Sequence, residues 1–173
     1  MDEIAAEAEV SQKTFFNHFA TKQVLLGELA HSVVSHFERL LSQVCKETDS
    51  VEGRLEAFFL EVASEVETSR VLTRDMLHQI IRGASSEDLG SAELRRVREG
   101  FRDVLAEQRS EEHGPTRERE LEFQADLVTG AFIGVILQWL NEPGYPLRER
   151  MRETARFLGN ALAAATPGRR LEI

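Results

Sequence analysis

The chain has a single cysteine, Cys45, which excludes an intramolecular disulfide and a thiolate zinc site and fits a reducing compartment. Prolines number four, all at or beyond Pro115, so nothing in the first two thirds forbids long helices. The longest apolar run, AFIGVILQWL, is far short of the roughly 20 residues of a membrane span. The amino terminus lacks the layout of a signal peptide. Basic charge is also scarce, with 21 Lys and Arg against 30 Asp and Glu and a net charge of −9. That balance excludes a protein that coats nucleic acid through general electrostatics, since phosphate contacts need clustered cations. No Gly-rich phosphate loop occurs, and no nucleophile, base and orienting residue stand in recognisable order. These absences imply a cytoplasmic protein without catalytic residues, metal or cofactor, and with no membrane partner.

Hydrophobic residues make up 42% and charged residues 29% of the 173, ordinary values for a globular fold. Apolar positions recur every three or four residues and never alternate, which predicts an all-α chain. Thr21 is placed to cap a long helix running to about Cys45, with Leu25, Leu29, Val33, Phe37, Leu40 and Val44 on one stripe. EGRLEAFFLEVASEV predicts a second, with Leu55, Phe58, Phe59, Val62 and Val66 inward, and VLTRDMLHQII a shorter one. SSEDLGS reads as a loop. Helices follow from Ala92 to about Arg109 (Leu94, Val97, Phe101, Val104 and Leu105 inward), Thr116 to Leu140, and Leu147 to about Ala165.

The first 49 residues carry eight acidic and four basic side chains, yet Val10 to Val24 contains no acid and holds Lys13, His18 and Lys22. Asp2 to Glu7 predicts a short helix and Ala8 to Val10 a turn. Ser11 then caps a second short helix to about Phe19. Helix, tight turn and capped helix is the layout of a helix-turn-helix, whose second helix offers its early polar residues to bases and phosphates. The stretch DEIAAEAEVSQKTFFNHFATKQVLL resembles the DNA-binding signature of TetR-family transcriptional regulators, with its Val-Ser turn, its Thr-aromatic-aromatic-x-His-Phe helix and the Lys opening the next helix. By that resemblance Ser11, Gln12, Lys13, Thr14, Phe16, Asn17, His18 and Lys22 face DNA, and Phe15 and Phe19 wedge the recognition helix. Two departures stand out. Glu9 occupies a turn position where the family usually has Gly, and the helix that precedes the motif in the family is absent from this sequence.

The expectation is an incomplete helix-turn-helix region with its connecting helix, residues 1–45, followed by a helical-bundle effector-binding and dimerisation domain, residues 46–173. The resemblance implies a repressor that binds double-stranded operator DNA as a homodimer and is released by a small apolar effector. Phe59, Val62, Met76, His78, Ile80, Phe101 and Leu127 are the candidate effector residues. Phe132, Val135, Ile136, Leu140, Met151, Ala155, Leu158 and Leu162 are the candidate dimer interface, because the last two helices carry surplus apolar surface. A helical small-molecule or metal-dependent enzyme and an interaction module with vestigial DNA binding are the alternatives. Glu28-x-x-His31 and Asp75-x-x-His78 have the spacing of di-metal bundle ligands, but the core stripes supply no further inward carboxylates.

Overall fold

A computed structural model describes residues 21–68, 77, 90–106 and 114–165. Five helices account for most of them: α1 (Lys22–Glu47), α2 (Val51–Thr68), α3 (Gly90–Ala106), α4 (Pro115–Asn141) and α5 (Leu147–Ala164). No strand occurs among the described residues, and the fold is all-α. The short helix expected around VLTRDMLHQII lies outside them except for Leu77, which is helical and buried.

Each helix begins where local chemistry allows. Thr21 has an extended backbone and its hydroxyl accepts from the Val24 N–H at 3.2 Å, as its sequence position led us to expect. Pro115 opens α4 at a position that needs no amide donor. The chain reverses between α4 and α5 through Gly144, at φ +84°, a left-handed conformation that a side chain would strain. α3 starts at Gly90, two residues earlier than the sequence suggested.

The core is built around phenylalanine. Phe37 of α1, Phe58 and Phe59 of α2, Phe101 of α3 and Phe132 of α4 meet with ring centroids 5.2 to 6.2 Å apart, mostly edge to face. Leu55, Val62, Val66, Val97, Val104, Val128 and Met151 fill in around them. On α1 the stripe is rotated from the expected one: Val34 and Leu41 are buried, whereas Val33 and Leu40 are half-buried. Leu94 was expected inward and is 46% exposed, lying on the outer face of α3. α1 continues unbroken through position 45, and its Val34, Leu41 and Val44 join the same cluster as the other helices.

α5 lies along α2. At Gly159 an added Cβ would stand 2.8 Å from the Glu52 Cα, so glycine sets the closeness of that crossing. Arg156 Nη2 reaches Glu56 at 3.1 Å along the same seam. α3 and α4 are joined at their surface by the ion pairs Arg98–Asp126 and Arg102–Glu118. By length and composition α4 could cross a membrane, but it buries Leu121, Ala125, Val128, Phe132, Val135 and Ile136 against its own chain and is a core helix here.

Two substitutions test this packing. Phe58→Ala removes a ring that touches the other four and should cost about 3–5 kcal/mol in urea unfolding. Gly159→Val should lower the melting temperature by pushing α5 off α2.

Candidate functional site

Because α1 emerges directly from the amino-terminal segment, the groups holding it against the bundle decide how that segment is presented. Its carboxyl-terminal end is fixed by Arg54, a buried side chain of α2. Nε donates to the Thr48 carbonyl at 2.7 Å, Nη2 to that of Cys45 at 3.4 Å, and Nη1 to that of Val104 on α3 at 3.4 Å. One guanidinium thus caps the carbonyl ends of two helices, where a positive charge is favoured.

Midway along α1 the grip is polar and centres on Arg96 of α3. Nε and Nη2 form a fork on Glu38 at 2.9 and 2.6 Å, and Nη2 also donates to Ser35 Oγ at 2.9 Å. Nη1 donates to Glu93 at 2.9 Å and to His31 Nδ1 at 3.0 Å. A guanidinium has five N–H groups, so every donor of Arg96 is committed. The hydrogen bond to Glu38, ahead of its charge and that of Glu93, raises the Arg96 pKa further above its already high ordinary value, and the clamp stays charged. His36 adds a tie to α2: its Nε2 lies 2.8 Å from both Glu65 oxygens while Nδ1 accepts from Arg39 at 3.3 Å, the pattern of the neutral Nε2–H tautomer. The sequence reading singled out neither Arg54 nor Arg96. It did consider His31, as a metal ligand beside Glu28, whereas the structure pairs it with Glu93 and Arg96.

Of the expected DNA-facing residues, Ser11, Gln12, Lys13, Thr14, Phe16, Asn17 and His18 lie outside the described residues, and Lys22 is the first residue of α1. Among the effector candidates, Phe59, Val62 and Phe101 are fully buried together in the core, and Met76, His78 and Ile80 lie outside the described residues. Leu127 is a correction: it is 49% exposed on the outer face of α4 and lines no interior space. The dimer candidates need a larger correction. Phe132, Met151 and Ala155 are at most 1% exposed in a single chain, and Val135, Ile136 and Leu158 are buried with them. Leu140 and Leu162 are half-buried against the same core. These residues face inward because α2 and α3 already cover the apolar surface that looked surplus in the sequence. The faces left open are different, with Phe123 62% and Phe157 73% exposed.

With α1 and its anchors in place, comparison with known proteins identifies what it is attached to. Residues 1–29 match the family model of bacterial regulatory proteins, tetR family, so the matched region includes the first two turns of α1. The first 29 residues are therefore similar to the DNA-binding region of tetR-family regulatory proteins. No curated protein and no solved structure matches the chain. α1 therefore begins within the residues matched to that family and also forms a wall of the helical core.

Arg96→Met should release the middle of α1 while leaving the ring cluster in place. The expected cost is about 1–2 kcal/mol, with faster amide exchange concentrated between residues 28 and 38. Arg96→Lys should restore little of it, because an ammonium cannot bridge Glu38, Ser35, Glu93 and His31 at once.

Proposed function

We propose that this protein is a TetR-family repressor that binds operator DNA in the cytoplasm as a homodimer and lets go when a small apolar effector enters its helical domain. The observation that carries the reading is the continuity of α1, which starts inside the region matched to the family and ends inside the core. A change of packing at Phe37, Leu41 or Val44 is then transmitted to the DNA-binding segment by a rigid helix. An effector can drive it only by preferring one of two positions of α1. Phe59, Val62 and Phe101 have no exposed surface, so a ligand reaches them by parting the rings, and such a ligand must itself be apolar. Residues up to Thr21 form the reading head in this proposal, with Ser11, Gln12, Lys13, Thr14, Phe16, Asn17, His18 and Lys22 on DNA.

The homodimer is assigned to the outer faces of α4 and α5. Phe123, Leu127, Gly130 and Gly134 recur along α4 at helical spacing, and Phe157 stands out from α5. An added Cβ at Gly130 or Gly134 meets nothing within 4 Å, so a partner helix could approach closely there. A contiguous apolar face of this kind is uncommon on a monomer. Two copies joined through α4 and α5 make a four-helix interface and set two recognition helices at the roughly 34 Å spacing of successive major grooves.

Two measurements test this function. In gel-shift titrations on the promoter beside the gene, Lys13→Ala and Lys22→Ala should each weaken binding and lower the salt slope by about 1, while a scrambled promoter should bind far more weakly. In sedimentation, Leu127→Glu with Phe157→Glu should convert dimers to folded monomers, because both residues are exposed and neither supports the core. Unchanged sedimentation of that variant would place the interface elsewhere.

A further inference from the structure

α1 and α3 approach closely at Gly100, where an added Cβ would lie 2.7 Å from the Leu41 side chain. Beside that approach they leave a half-open cleft of about 380 Å³, within the size range of small-molecule sites. Its floor is apolar, made by the buried Leu41 and Val104 with the half-buried Cys45 beside them. Its polar walls are Glu38, Arg96, Glu99 and Asp103. Such a cleft offers a hydrocarbon surface below and fixed charge above.

The sign of that charge decides what fits. Arg96 is the single cation in the lining, and all five of its N–H groups are already given to Glu38, Ser35, Glu93 and His31. It has no donor left for an anionic guest. Glu99 and Asp103, by contrast, are exposed carboxylates; Asp103 feels the charge of the neighbouring Arg102, but the Arg102 guanidinium is hydrogen-bonded to Glu118 across on α4. Two carboxylates stand open above an apolar floor, in a protein whose net charge already draws cations toward its surface.

We propose that this cleft binds a small organic cation with an apolar body, its ammonium or amidinium end between Glu99 and Asp103 and its hydrocarbon on Leu41 and Val104. The bound cation also attracts Glu38, the carboxylate that Arg96 grips, and so competes with the clamp that holds α1 to α3. Binding stands by itself; its effect on DNA rests on the regulatory function proposed above.

The test uses the full chain and 4-phenylbutylammonium, with 4-phenylbutyrate as the anion of similar shape, in titration calorimetry without DNA. The cation should bind and the anion should not. Glu99→Gln with Asp103→Asn should weaken the cation about tenfold or more, and Ser42→Trp, which fills the cleft from an exposed position, should abolish binding, with melting temperatures confirming that both variants fold. Equal binding of anion and cation, undiminished cation binding by either variant, or no heat from the cation up to about 10 mM would each overturn the site. A promoter gel shift with the same cation separates the two claims. Release of DNA joins the cleft to regulation, and unchanged DNA binding alongside positive calorimetry keeps the site and removes its regulatory role.

Discussion

Phe58 touches the rings of Phe37, Phe59, Phe101 and Phe132, and through them one side chain ties together four of the five helices. The remaining helix, α5, is held by α2 from the other side, through Met151, Ala155 and the close crossing at Gly159. Because burial of these rings is roughly proportional to the area removed from water, the cluster supplies the largest non-directional term in the fold. Edge-to-face geometry then fixes the relative rotation of the helices that carry them. α1 joins this arrangement from its middle onward, by Val34, Phe37, Leu41 and Val44.

That division gives α1 two kinds of attachment. Its carboxyl-terminal end is immobilised by ring packing and by Arg54, whose buried guanidinium satisfies carbonyls of both α1 and α3. Removing such a group leaves buried acceptors without partners, so this end has little freedom to move. Residues 31 to 38 pack Val34 and Phe37 into the same core and are held in addition by partly exposed polar contacts of Arg96, His31, His36 and Glu65. Interactions of this kind are individually weak and exchange readily with water. α1 is thus held by burial toward its carboxyl-terminal end and by burial together with exchangeable polar contacts near its middle, and its amino-terminal turns lie within the matched residues 1–29.

Most of this framework was legible in the sequence, since it rests on local rules. Helical periodicity and the Thr21 cap place four long helices to within about two residues, and the inward face of α2 is read correctly at all five positions. The family resemblance, carried by about 25 consecutive residues, agrees with the matched model. Facing directions on α4 and α5 were less accessible. An apolar stripe tells that a residue is buried, not whether its cover is its own chain or another, and so Phe132, Met151 and Ala155 were assigned to an interface although they are core. Arg54 left a signal that could have been used: it lies four residues before Phe58 on the inward stripe, and a charge there has to be paired or to cap something. Arg96 left none, because its partners on α1 lie about 60 residues away.

The distribution of charge completes the argument. A net −9 repels phosphate, and an acidic body cannot hold DNA wherever it happens to touch it. The acid-free window from Val10 to Val24 is the part of the chain that escapes this repulsion, and it lies within the residues matched by the family model. On the function proposed above, acidity elsewhere would serve specificity by suppressing binding through the wrong face. The same excess keeps Glu99 and Asp103 beside a cleft whose one cation is fully occupied. Repulsion of phosphate at the body and attraction of cations at the cleft are two results of one charge imbalance, and α1 is the element that runs between the places where they act.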